Sequence, residues 1–171
     1  LEEGRVTRFI DRETFLHAPG REKYFKDRWG FTSRVIEKIE AMGEVGRVLE
    51  VGPGPTGRPI VLGADTLDNC AAFHPTILHD AGRVPWPVGD KAYDLVVALE
   101  AFEHFSGRQR DAFGEVRRVA RRAIITVPYK CRTEHHRIGW KEYGEWFGVK
   151  EGDGMLVDRG PCKKYMFVFN F

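Results

Sequence analysis

The stretch Leu49-Glu50-Val51-Gly52-Pro53-Gly54-Pro55-Thr56-Gly57 decides how this chain is read. The apolar run from Val45 to Val51 is short and bounded by glycine, as a buried strand is. It carries an acid, Glu50, near its end. Glycines at 52, 54 and 57 then let the backbone turn sharply and approach a ligand closely. The spacing satisfies G-x-G-x-x-G, which alone is a weak signal and is also met by an ordinary Gly-Pro turn.

Downstream, four more apolar runs read as strands: Ile60 to Ala64, Thr76 to Leu78, Tyr93 to Leu99 and Ala123 to Val127. Continuous apolar strands of this kind suit a parallel sheet covered on both faces. Between the last two lies Arg108 to Arg122, where Ala112, Phe113, Val116, Val119 and Ala120 form one helical face. Its arginines sit mostly on the opposite face and read as a solvated surface rather than a nucleic-acid patch. The tail changes period. Met155 to Val157 and Tyr165 to Phe171 flank the turn signal Asp158-Arg159-Gly160-Pro161, predicting an antiparallel hairpin at the sheet edge. Upstream, residues 1–30 read as a helical arm rich in charge and aromatics, with Trp29 and Phe31 as core anchors. Thr32 or Ser33 is predicted to cap a second helix that ends at Gly43. The whole reads as an α/β chain, an arm over 1–44 packed on a Rossmann-like unit over 45–171: a parallel sheet with helices on both faces and a C-terminal hairpin.

Composition narrows the partners. A formal net charge of +2 over 171 residues demands neither nucleic acid nor membrane. No apolar run nears the ~20 residues of a membrane span. Three cysteines, Cys70, Cys131 and Cys162, form no CxxC pair. They argue against a disulfide framework or structural zinc and fit a reducing cytoplasm.

Three acids follow strands: Glu50, Asp65 and Asp80. In an open parallel sheet, ligands bind beyond the carboxyl ends of the strands. The expectation is that these three carboxylates converge on one cavity. The surrounding blocks support it. Glu50 to Gly54 is followed by Gly63-Ala64-Asp65, then His79-Asp80-Ala81 with Val84-Pro85-Trp86-Pro87. Tyr93-Asp94-Leu95-Val96-Val97 leads into Leu99-Glu100-Ala101-Phe102-Glu103-His104-Phe105. Glu115-Val116-Arg117-Arg118-Val119 precedes Ile124-Ile125-Thr126-Val127-Pro128-Tyr129. In this order the blocks, over roughly residues 45–130, resemble class I S-adenosylmethionine-dependent methyltransferases of the type 11 kind. The resemblance implies that Glu50, Gly52 and Gly54 line the methionine part of S-adenosylmethionine. Asp65 would take the ribose hydroxyls, and Asp80 with Ala81 the adenine. Leu99 would lie by the methionyl amino group and sulfonium.

One departure stands out. The family places a helix after the glycine motif, yet only about eight residues, Gly52 to Pro59, separate the first two apolar runs, where a parallel crossover needs a dozen or more. Pro53, Pro55 and Pro59 also oppose a helix. Either the helix is missing from this chain or residues are missing from the stretch.

Methyl transfer is an in-line displacement, so positioning carries much of the catalysis. A base is required only for weakly acidic acceptors. Candidates are His104, Glu103, His135 and His136; His104 also fits a local packing role at a helix start. His135 and His136, with Tyr129, Arg132, Trp140 and Trp146, read equally as a lid over the acceptor or as a loop packed by its aromatics. Cys131 with these histidines lacks a fourth ligand, so no metal is expected. The favoured function is methylation of a small-molecule hydroxyl or amine. The alternatives are a non-catalytic binding or scaffold protein on the same fold, and a nicotinamide-dependent oxidoreductase. Oligomeric state is open.

Overall fold

The computed structural model describes residues 7–130, 138–160 and 162–171. Seven strands form one mixed sheet: β1 (Val48–Val51), β2 (Asp65–Asp68), β3 (Ile77–Leu78), β4 (Tyr93–Leu99), β5 (Ala120–Tyr129), β6 (Met155–Asp158) and β7 (Lys163–Asn170). Their order is β3-β2-β1-β4-β5-β7-β6. The first five are parallel, and β7 enters antiparallel between β5 and β6. The order reverses at β1, so β1 and β4 part toward opposite crossovers and leave a crevice at their carboxyl ends.

Two apolar layers cover the sheet. On one face, α3 (Gln109–Val119) and α4 (Trp140–Phe147) pack on Leu49, Val51, Val96, Ala98 and Ile125. On the other, α1 (Arg12–Leu16) and α2 (Glu22–Glu40) pack on Val48, Leu95, Val97, Leu99 and Ile124. Alternation along β1 and β4 sends successive side chains to opposite layers. The predicted parallel sheet with helices on both faces and a terminal hairpin is the observed one.

Four local expectations change. The run Ile60 to Ala64 is not a sheet strand. Val61 bridges Phe9 antiparallel, Ile10 N–H donates to the Ile60 carbonyl and Leu62 N–H to the Arg8 carbonyl. The second strand begins only at Asp65, so the connection from Gly52 to Ala64 meets the length a crossover needs. It contains turns and no helix. Thr32 and Ser33 cap nothing: α2 runs through them, Thr32 is buried, and Ser33 Oγ donates back to the Gly30 carbonyl. Gly43, at φ 78°, does follow the helix end. Trp140 and Trp146 are no lid, because they lie on or at α4 against Tyr143, Phe147 and Phe167 in the core. Finally, Cys70 is a free thiol, whereas Cys162 is disulfide-bonded. Sequence spacing does not show which sulfurs a fold brings together, and cysteine usage no longer argues for a reducing compartment. Among the described residues no helix is long and apolar enough to cross a membrane.

Candidate functional site

A cavity of about 350 Å³ opens at the carboxyl ends of β1, β2 and β4. This is within the range of small-molecule sites. Its floor is the glycine loop, with Gly52 at φ 65° and Gly54 at φ 83°. A Cβ on Gly52 would come within 3.2 Å of the Ala101 side chain. The loop is thus shaped to lie flat against the β4 exit, leaving the space above it to a ligand. Further along, a Cβ on Gly57 would overlap the Phe73 carbonyl oxygen, which fixes glycine there.

The three expected acids do not converge. Asp80 does line the cavity, with Ala81 beside it. Its Oδ1 accepts the Gly82 N–H at 2.9 Å, and its Oδ2 meets Arg108 at 3.2 Å and Arg83 at 3.4 Å. Burial pushes its carboxyl up, but the Gly82 N–H and the Arg108 and Arg83 charges more than offset this and hold it below the usual range. Glu50 is buried behind the loop instead, where its Oε2 accepts the Ile60 N–H at 2.7 Å. Burial pushes it up to about 8, against the lowering effects of that hydrogen bond and of Arg28. It pins the returning crossover to β1 and borders a smaller void under the arm, next to Arg28 and Gly52.

Asp65 lies at the wrong end of its strand. It starts β2, pairs with Leu49 in register, and is held at the amino edge by Arg47 at 2.9 Å and the Tyr93 hydroxyl at 2.9 Å. The cause is the misplaced strand: with Ile60 to Ala64 off the sheet, β2 ends at Asp68. Asp68 lines the cavity with Asn69. Its Oδ1 accepts the Cys70 N–H at 2.8 Å, which leaves Oδ2 for a ligand. The carboxylate at the β2 tip therefore exists, three residues later than the sequence reading put it.

Two further cavity residues come from the arm. Tyr24 and Arg28, on α2, reach over the β4 tip. An Arg28 guanidinium N–H donates to the Leu99 carbonyl at 3.2 Å, and the guanidinium stacks over Tyr24 and Phe31. Leu99, Glu100, His104 and Phe105 complete the wall. His104 lines the cavity with a side chain 59% exposed. Glu103 is nearly buried, and burial together with the Glu100 charge pushes it up to about 8. His135 and His136 lie outside the described residues, as do Cys131 and Arg132.

The strand order, the glycine loop on β1 and the acids at the β2 and β3 tips make one diagnosis. This is the class I methyltransferase fold. No protein-family model matches the sequence, and no curated protein does either. Solved structures do match in shape. An S-adenosylmethionine-dependent methyltransferase from Aquifex aeolicus is 14% identical with a TM-score of 0.60, covering 93% of this chain and 98% of that one. The magnesium protoporphyrin IX methyltransferase of Synechocystis PCC 6803, solved with bound S-adenosylmethionine, is 13% identical at a TM-score of 0.57, with 89% and 84% covered. An rRNA methylase from Escherichia coli is 13% identical at 0.56, with 87% and 67% covered. The last two are named for a porphyrin and an rRNA, so the methyltransferase fold says nothing of what is methylated.

Proposed function

We propose that the chain binds S-adenosylmethionine in the cavity at the β1–β4 crevice and transfers its methyl group to a small-molecule acceptor. The observation that carries this is the single cavity where the glycine loop, Asp68, Asp80 and Arg28 meet. The residues present fit the group. Asp68 offers its free oxygen to the ribose hydroxyls, a role the sequence reading gave to Asp65. Asp80 and Ala81 border the adenine. Gly52 and Gly54 give room for the methionyl part, and Arg28 supplies a cation for its carboxylate. Leu99 and Glu100 border the sulfonium end.

The bound sulfonium would supply an already activated methyl carbon. The protein's task is then to hold an acceptor in line with it and keep water away. Ala101, which is buried, and Phe105 give that end its apolar surface. A small acceptor accords with the mild net charge, which offers few counterion-releasing contacts to a nucleic acid. A nicotinamide nucleotide is disfavoured because no helix begins after the glycine loop to receive a pyrophosphate.

Calorimetric titration with S-adenosylhomocysteine tests the reading at its sharpest point. Wild type binds, Asp68→Ala loses on the order of thirtyfold in affinity, and Asp65→Ala stays within about twofold. No heat with the wild-type protein at millimolar ligand, or equal loss in both variants, would overturn it.

A further inference from the structure

The carboxylate of Asp80 is already engaged within the chain. Its Oδ1 accepts the Gly82 N–H, and its Oδ2 takes Arg108 at 3.2 Å and Arg83 at 3.4 Å. Two partners use up the two lone pairs of Oδ2, and one is left on Oδ1. The larger polar surface on this side of the cavity belongs to Arg108, which lines it with a side chain 41% exposed.

The Arg108 guanidinium is fixed on three sides. Its Nη1 donates to Asp80 at 3.2 Å and its Nε to the Phe105 carbonyl at 3.3 Å. Gly82 lies flat against one face. A Cβ built on Gly82 would stand 2.9 Å from Cζ, 3.0 Å from Nε and 3.1 Å from Nη2. At that range, a point so nearly equidistant from three bonded atoms of a planar group stands above the plane. The other face, with the Nη2 edge, is what remains for the cavity. A guanidinium held in this way has little rotamer freedom left to lose on binding. It presents a flat, weakly hydrated cation, and planar bases stack on such a surface.

Two other uses of this group fit less well. An anion would meet a charge already paired with Asp80. A ring of the chain itself could cover the plane, as Tyr24 and Phe31 do for Arg28, but among the described residues no ring stacks on Arg108. We propose that Arg108 is the platform on which the adenine base of the cofactor stacks, and that residue 82 is glycine so that this platform can lie flat. The proposal rests on the cofactor reading above. It assigns the hold on the base to the face of a cation rather than to the Asp80 carboxylate.

The test is calorimetric titration of the full chain with two probes, S-adenosylhomocysteine and adenosine. Arg108→Lys keeps a cation for Asp80 but has no plane, and should weaken both probes about tenfold. Gly82→Ala keeps Arg108 but pushes its guanidinium aside, and should weaken both by about threefold or more. Equal factors are expected because adenosine carries the base and lacks the amino-acid tail. The Arg108 Nε–H NMR signal, identified by its loss in Arg108→Lys, should move upfield when adenosine binds wild type, as a proton over a ring face does. Either variant binding adenosine like wild type overturns the proposal, as does an unmoved Nε–H signal. A loss confined to S-adenosylhomocysteine also overturns it, since that would put Arg108 at the amino-acid tail. So does a wild type that takes S-adenosylhomocysteine but no adenosine at about 10 mM. Should Arg108→Lys fail to fold, Gly82→Ala decides alone. A wild type that binds neither probe sinks the cofactor reading itself, and the proposal with it.

Discussion

The two crossovers that flank the cavity solve one problem in opposite ways. Between β4 and β5, α3 buries Ala112, Phe113, Val116 and Val119 on the strands it joins. Between β1 and β2, the chain makes no helix, and its cover comes from the arm. Phe9 and Ile10 pair with Ile60 and Val61, and Arg58 donates to the carbonyls of Thr14 and His17 at 3.0 and 3.1 Å. A parallel sheet must be covered on both faces, but the cover need not be local in sequence. Here the substitution also brings Tyr24 and Arg28 to the cavity, which a local helix would not have done.

Removing residues 1–17 is the severest test of that contrast. It strips Ile10 and Phe15 from the buried layer and should abolish cooperative thermal unfolding as well as S-adenosylhomocysteine binding. A truncated chain that melts like wild type would show the arm to be ornamental. On the other crossover, Phe113→Ala should cost about 3 kcal/mol in denaturant titration, because its ring packs against Phe147 and Phe169, yet leave cofactor affinity near wild type.

Glu50 gives the first crossover a pH signature. Its carboxyl is raised from 4.5 to about 8 by burial, so the folded chain keeps a proton that the unfolded chain has lost. Stability should therefore fall as pH rises from about 4.5 to about 8 and level off above. Glu103, also raised to about 8, adds to the same fall. Melting curves at pH 5 to 8 should show the slope reduced in Glu50→Gln; an unchanged slope would mean that Glu50 is not held protonated. The smallest effect is expected from Arg58→Ala. Its two carbonyl bonds lie at the surface, and their loss should cost up to about 1 kcal/mol, lowering Tm by roughly 2–4 °C.

The same contrast explains what could be read from sequence. Tyr93 to Leu99 is legible to the residue, because this buried central strand is an unbroken apolar run from Leu95 on, with Asp94 alone breaking it near the start. The α3 face was legible because its periodicity is local. Ile60 to Ala64 was misread because an apolar run that pairs with a distant arm looks like one that pairs in the sheet. That shift hid Asp68 and promoted Asp65, since the true strand, Asp65-Thr66-Leu67-Asp68, is bracketed by charge. Asp80, Ala81, Gly52, Gly54 and Leu99 line the larger cavity, whereas Glu50, on β1, borders the smaller void under the arm. Arg28 carried no local signal at all, as its role depends on α2 crossing the β4 tip.

The bridge between Phe9 and Val61 also sets an order of events. Contacts within β4–α3–β5 close short loops, whereas the arm must return across some fifty residues, and loop closure has to be met before such contacts give anything back. The sheet should thus consolidate first and the arm dock last. Trp29 packs on Phe15 in the arm, so a slow fluorescence phase in refolding that a Trp29→Phe variant loses would mark the moment the binding cleft comes into being.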